Sequence, residues 1–166
     1  MVIPKVQPFL WFHDQAEEAA RFYVSLFEDS EILEITRYPE RSMGPAGGVM
    51  TVRFRLAGIP MIALNGGPHF TLTEAFSMNV NCDGQAETDQ LWEKLSAGGE
   101  PGRCGWLTDR FGLTWQIVPA GLTEMLGSTD SAASQRAFAA MLTMSKIDIA
   151  TIRAAFHSDE RIQDNS

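Results

Sequence analysis

Five amides, a serine and one arginine are spaced so that strand alternation turns them toward a shared surface: Gln7, Asn65, Asn79, Asn81, Gln116, Ser77 and Arg53. Phe9 and Trp11 follow Gln7 in the same phase. Neutral amides and hydroxyls bond one another, water or a ligand, and a buried amide left unpaired costs roughly 1–3 kcal/mol. Aromatic side chains on the same surface argue for a ligand-lined groove over a bare solvated face. Arg53 could clamp a carboxylate or phosphate there, or pair with a neighbouring acid. His69, in a glycine-proline stretch, is the one candidate general base, with a surface or dimer contact as its alternative. His13 and His157 are read as structural or solvated. Asp109 is expected to bond its own backbone, and Cys104 lacks a base beside it in the sequence. No Ser–His–Asp set and no carboxylate pair assembles, so catalytic residues beyond His69 stay unassigned.

The elements that must position these side chains repeat. Gln15-Ala16-Glu17 returns about seventy residues on as Gln85-Ala86-Glu87, each time opening a helical pattern after an alternating strand. Val6 to Phe12 reads as the first strand, with Leu10 and Phe12 toward a helix. Asp14, with Glu17 three residues later, makes a candidate capping box for a helix over Gln15 to Phe27. Strands follow at Glu31 to Tyr38, Val49 to Leu56 and Ile59 to Asn65, with a glycine- and proline-rich loop over residues 39–48. On the fourth strand Met61, Ala63 and Asn65 are assigned to the groove face. After Gly66-Gly67-Pro68-His69 the pattern resumes: a strand from Ala75 to Cys82, a helix from Gln85 to Ala97, and strands over Arg103 to Leu107 and Leu113 to Val118. Ser77, Asn79 and Asn81 then oppose Met78, Val80 and Cys82, while Thr114, Gln116 and Val118 oppose Trp115 and Ile117. The expected class is α+β, with paired βαβββ modules forming a curved mixed sheet around a concave cleft, plus C-terminal helices. As a single domain it divides into module one at about 5–65, a linker at 66–74, module two at about 75–119, a helical extension at 120–157 and a polar tail at 158–166. Helices are expected at Ala132 to Thr143 and Asp148 to Phe156. Ala133, Ala137, Ala140 and Met141 form a stripe that could pack within the chain or across a dimer.

Composition narrows the function classes. The 166 residues are 45% hydrophobic and 20% charged, which places them with globular chains able to bury a core. A net charge of −8 argues against nucleic acid and anionic membrane surfaces as partners. No apolar run approaches the roughly 18 residues of a membrane span. Met1 to Lys5 has no basic stretch leading into an apolar core, which argues against secretion. Cys82 and Cys104, placed in different strands without motif spacing, read as reduced thiols of a cytoplasmic protein.

Several segments resemble one family. Pro8-Phe9-Leu10-Trp11-Phe12, Gln15-Ala16-Glu17-Glu18-Ala19 and Phe22-Tyr23 are similar to the opening of the PhnB-like branch of the vicinal oxygen chelate superfamily. Ala63-Leu64-Asn65-Gly66-Gly67-Pro68-His69-Phe70, Trp92-Glu93-Lys94-Leu95, Cys104-Gly105-Trp106-Leu107 with Asp109, and Trp115-Gln116-Ile117-Val118-Pro119 continue the likeness. Lys146-Ile147-Asp148-Ile149 extends it into the tail. This branch carries the description 3-demethylubiquinone-9 3-methyltransferase. The resemblance implies paired βαβββ modules, a homodimer and, in metal-using members of the wider superfamily, a divalent ion held by four cleft residues. Those positions fall here at Gln7, at Ala63 or Asn65, at Ser77 and at Gln116. Neutral amides and a hydroxyl cannot replace the imidazoles and carboxylates such ions take, so the expectation is no metal and no cofactor. Gly44, Gly47 and Gly48 precede a strand, unlike the strand-to-helix turn that cradles S-adenosylmethionine. The expected function is small-molecule binding in a metal-free cleft of a homodimer. The alternative is a metal-dependent lyase or isomerase, or a methyltransferase as the family description says.

Overall fold

The computed structural model describes residues 4–158, and these fall into two compact units that divide between Thr73 and Glu74. The polar tail expected beyond Ser158 lies outside the described residues.

The first unit runs β1 (Phe9–Phe12), α1 (Ala16–Val24), β2 (Glu31–Arg37), β3 (Val49–Leu56) and β4 (Ile59–Asn65). Its strands order as β1-β4-β3-β2, with β1 parallel to β4 and the other pairs antiparallel. The parallel pair forms because α1 carries the chain across the sheet between β1 and β2. Leu10, Phe12, Val52, Phe54, Leu56, Met61 and Ala63 are buried on one face. Ala16, Ala19, Ala20 and Tyr23 of α1 are buried with them, three small side chains letting the helix lie close on β3 and β4. Each large apolar side chain so buried contributes about 1.5–3 kcal/mol.

The second unit repeats the order: β5 (Ser77–Cys82), α2 (Gln85–Ser96), β6 (Glu100–Pro101), β7 (Trp106–Thr108) and β8 (Thr114–Pro119), arranged β5-β8-β7-β6. The same parallel outer pair recurs in β5 and β8. Cys82, Leu107, Leu113, Trp115 and Ile117 are buried, as are Thr88, Leu91 and Leu95 of α2. Both units are βαβββ modules, so the chain is α+β, as the internal repeat implies.

After β8 come α3 (Leu122–Leu126), α4 (Ser131–Leu142) and α5 (Ile149–Phe156). Leu122, Met125, Ala137, Ile147, Ile149 and Ile152 form their core, and Ala140 and Met141 pack against it. The alanine stripe therefore packs within the chain. Asp130 caps α4 through the Ala133 N–H (3.0 Å) and Asp148 caps α5 through the Thr151 N–H (2.8 Å). The Cys104 and Gly105 N–H groups donate to the Met144 and Ser145 carbonyls at 2.8 and 2.7 Å, joining the extension to the turn ahead of β7.

Three local expectations need correction. The first strand begins at Phe9, leaving Gln7 half-buried in the segment before it. The capping box does not form at α1: Gln15 is the N-cap residue and makes no side-chain cap bond, and Glu17 instead pairs with Arg21 at 2.7 Å. Cys104 lies in the turn before β7 with φ 56°, not in a strand, because the chain there reverses through it and Gly105 (φ 83°).

Candidate functional site

Each half-sheet has one face covered by its helix and one turned away from it, and the cross-strand register fixes which residues share the latter. In the first unit Phe9 stands opposite Ile62, Trp11 opposite Leu64, Thr51 opposite Leu64 and Arg53 opposite Ile62. The outward face therefore carries Phe9, Trp11, Ile62, Leu64, Thr51 and Arg53. Phe9, on the edge strand β1, is 56% exposed.

Trp11 is held in place by the linker that follows β4. Its indole N–H donates to the Gly67 carbonyl at 2.9 Å, and the Phe70 ring meets it edge-on at 4.9 Å. Gly66 lies so close that a Cβ there would overlap the indole, and Gly67 turns the chain at φ 80°. The glycines of this linker thus let the backbone close over one edge of Trp11 and fix its ring. His69 lies in the same linker and is exposed.

Asn65 is not on this face. Its partner on β1 is Phe12, and Ala63 and Met61 stand opposite Val52 and Phe54, all helix-side residues. The assignment of Met61, Ala63 and Asn65 to the groove is thus reversed. The Asn65 side chain works as the missing cap of α1: Oδ1 accepts from the Ala16 N–H at 2.7 Å, while Nδ2 donates to the Val49 carbonyl at 3.1 Å. The Tyr38 hydroxyl donates to the Asn65 backbone carbonyl, anchoring the start of the 39–48 loop. One residue thereby ties α1, β3, β4 and the segment just after β2 together.

Arg53 takes the ion-pair alternative. It stands opposite Glu34 on β2 and its Nη1 lies 3.1 Å from Glu34 Oε2. Arg55 bridges Asp29 (3.0 Å) and Glu31 (2.7 Å), and the Thr36 and Thr51 hydroxyls bond at 2.6 Å. The outward face of the first unit is thus aromatic and aliphatic over β1 and β4, and ion-paired over β2 and β3.

In the second unit the register places Ser77, Asn79 and Asn81 with Thr114, Gln116 and Val118, and with Trp106 and Thr108 of β7. Gln116 Nε2 donates to Ser77 Oγ at 2.8 Å, leaving its carbonyl oxygen to accept from elsewhere as well. Asn79 and Asn81 are exposed, and Thr114 is buried. Behind this face the Asp109 carboxylate accepts from the Phe111 and Leu113 N–H groups (2.8 and 3.1 Å) and from the Trp115 indole (2.8 Å). Its local bonding is legible in the sequence; the tie to Trp115 is not. Cys82 ends β5 in the core, where burial pushes its thiol pKa up, opposite to what a nucleophile needs.

Within the first unit Phe9, Trp11 and Arg53 share the outward face, where Ile62, Leu64 and Phe70 accompany them unforeseen. Within the second unit Ser77, Asn79 and Gln116 share theirs, with Trp106 and Thr108 unforeseen. The divalent ion used by some members of the wider superfamily does not fit this set. The outward residues of β4 are the aliphatic Ile62 and Leu64, Ala63 and Asn65 turn to the helix, and Gln116 and Ser77 are neutral and bonded to each other. Among the described residues no group of three or more His, Cys, Asp and Glu converges as an ion site.

Two modules of this order with helices on one side define a glyoxalase/bleomycin-resistance-like fold of the vicinal oxygen chelate superfamily, here its PhnB-like branch. The chain belongs to the family described as 3-demethylubiquinone-9 3-methyltransferase, whose model matches residues 4–118. A solved structure from Bacillus cereus, named as a PhnB protein of that methyltransferase description, is 36% identical, with TM-score 0.64 over 70% of this chain and 100% of that one. Protein PA1353 from Pseudomonas aeruginosa is 24% identical over 70% of this chain and 98% of its own, with TM-score 0.54. The fosfomycin resistance protein FosX from Mesorhizobium loti shares the fold at 15% identity and TM-score 0.52, covering 77% of this chain and 100% of that one. No curated protein matches the chain. The family match stops short of α3, α4 and α5.

Proposed function

We propose that this chain is a cytoplasmic, homodimeric member of its family that binds a small molecule against the outward face of a half-sheet, without a divalent ion. The observation that carries the reading is the fixed aromatic ledge of Phe9 and Trp11. Trp11 is held by the Gly67 carbonyl and the Phe70 ring, so its ordering cost falls on folding and not on ligand binding. An exposed Phe9 beside it supplies apolar area that only a bound partner removes from water. Ser77, Asn79 and Gln116 offer neutral hydrogen-bonding groups of the kind that orient a ligand. On the first unit Gln7 lies ahead of the ledge and Arg53 shares its face.

The test is a thermal-shift screen of a metabolite panel on the wild type and on Phe9→Ser, with the oligomeric state followed by sedimentation. Ligands should raise the melting temperature of the wild type and lose most of that effect in the variant. Equal shifts in the two proteins count against the ledge, and a monomer counts against the dimer.

The family description supports a second reading, methyl transfer. The glycine-rich turns here open onto β3 and onto the linker after β4, not onto a helix N-terminus, so the usual S-adenosylmethionine cradle has no counterpart among the described residues. Transfer of a labelled methyl group from S-adenosylmethionine to a quinol would establish that reading in place of the first.

A further inference from the structure

We infer that the second unit holds a further site, a cavity at the carboxyl ends of β5 and β8 that takes a small organic ammonium ion. The two strands of this parallel pair end together, Cys82 opposite Pro119, one leading into α2 and the other into α3. Neighbouring strands whose connections part in this way leave a crevice at their ends. The crevice here measures about 250 Å³, a little less than a drug-sized ligand fills. Val118, Pro119 and the buried Cys82 supply its apolar wall, and Asn81, Asp83, Thr123 and Glu124 supply its polar side chains.

Those polar groups favour a cation. Asp83 and Glu124 bring two carboxylates, and Asn81 and Thr123 bring two further oxygens. Among the described residues none of these four side chains has a hydrogen-bond or ion-pair partner. Glu87, on the first turn of α2, adds a third carboxylate, which accepts from the Asp83 N–H at 2.7 Å. Their field reaches the cavity wall at Cys82. Burial raises that thiol pKa most, and the Glu87 and Asp83 charges raise it further, against the lowering effect of hydrogen bonds with Thr88 and Val118. An opposing cation, Arg153 of α5, approaches Gly121, where its Nη2 would stand 3.8 Å from an added Cβ. One guanidinium against three carboxylates leaves the cavity negative.

Size and lining choose among cations. A calcium ion takes about six to eight converging oxygen ligands, and among the described residues no group of three or more His, Cys, Asp and Glu converges as an ion site. An ammonium head on a short hydrocarbon body asks for less. Carboxylate and amide oxygens accept its N–H groups, and the apolar wall removes its carbons from water. None of these residues belongs to the aromatic ledge of the first unit, so the inference stands or falls separately from that reading.

The experiment is a nitrogen-15 NMR titration of the full chain at low ionic strength, with cyclohexylammonium, cyclohexanol and calcium chloride as probes. It is run on the wild type, Asp83→Asn, Glu124→Gln, the double variant and Phe9→Ser. Cyclohexylammonium should shift the amide signals of residues 81–83 and 120–124 saturably on the wild type and equally on Phe9→Ser. Exposed ion pairs contribute modestly, so each single carboxamide variant should lose about threefold in affinity and the double variant about tenfold. Added salt should weaken the binding. Asp83 and Glu124 are exposed, so the variants should keep the wild-type spectrum away from the cavity. Absence of shifts at those amides, cyclohexanol binding as well as the ammonium, or undiminished binding in the double variant overturns the inference. Calcium displacing the ammonium overturns it in favour of a metal site, and binding lost in Phe9→Ser overturns it in favour of the ledge.

Discussion

Replacing Asn65 separates its structural role from the ligand role that its sequence position suggests. Asn65→Ala removes the acceptor for the Ala16 N–H and the donor to the Val49 carbonyl, at 2.7 and 3.1 Å. Loss of a helix cap costs about 0.5–2 kcal/mol, typically about 1. Loss of the second bond costs a further 0.5–1.5 kcal/mol or so. Neither site is fully enclosed, which favours the middle of both ranges, so the expected destabilisation is about 2 kcal/mol. For a chain of this length that lowers the melting temperature by about 4–8 °C. Asn65→Asp keeps the cap acceptor and places a negative charge at the start of α1, where it is favourable. It also sets a carboxylate oxygen against the Val49 carbonyl in place of a donor, so it should recover only part of the alanine loss. Urea unfolding followed by circular dichroism measures all three proteins, and ligand titration of Asn65→Asp should match the wild type. An alanine variant within about 0.5 kcal/mol of the wild type, or an aspartate variant no better than alanine, would refute the capping account. Loss of ligand binding in a stable Asn65→Asp protein would return the residue to the site.

Three other outcomes follow from the geometry. Gly66→Ala puts a methyl into the Trp11 indole, so it should destabilise by about 1–3 kcal/mol and change tryptophan fluorescence as the ring is displaced. Asp109→Asn keeps one oxygen for the Phe111 and Leu113 N–H groups but sets an amide N–H against the Trp115 indole N–H; a loss of about 1–3 kcal/mol, read by chemical unfolding, is expected. At Asp89 the bond from Lys146, then that from Gln85, holds the carboxyl pKa below its ordinary value. A depressed folded-state pKa contributes stability that is present above the unfolded value and lost as pH falls through the folded one. Asp89→Asn should therefore be slightly less stable than the wild type at neutral pH, with the difference closing in acid unfolding titrations below the usual carboxylate range.

How much of this is legible in the sequence differs from strand to strand. On β3, Met50, Val52, Phe54 and Leu56 alternate with Thr51, Arg53 and Arg55, so the faces can be read directly, and the structure agrees. On β4, Ile59, Pro60, Met61, Ile62, Ala63 and Leu64 are apolar in both phases, and alternation carries no information about which set is inward. Register decides it, and register is set by the hydrogen-bonded neighbours β1 and β3. Asn65 shares that ambiguity, and its true role depends on a partner 49 residues away, beyond any local capping pattern. The partner of Arg53 is likewise invisible, because Glu34 meets it only once β2 and β3 pair across the long 39–48 loop. The duplicated βαβββ order is legible because the two helices open on the same residues, Gln15-Ala16-Glu17 and Gln85-Ala86-Glu87. The two-residue β6 is not, since Glu100-Pro101 has no alternation to read.

The seam between the turn ahead of β7 and the extension sets an order of events during synthesis. Every bond that closes the first sheet joins residues made before position 74, so that half can acquire its native hydrogen bonding while the rest is still being translated. The Cys104 and Gly105 amides find their acceptors only when Met144 and Ser145 emerge, and Gly105 is buried. A nascent chain halted after β8 therefore keeps two amides at that turn waiting for acceptors. Maturation of the second half is thereby tied to the ribosome reaching the final helices, long after its sheet residues have been made.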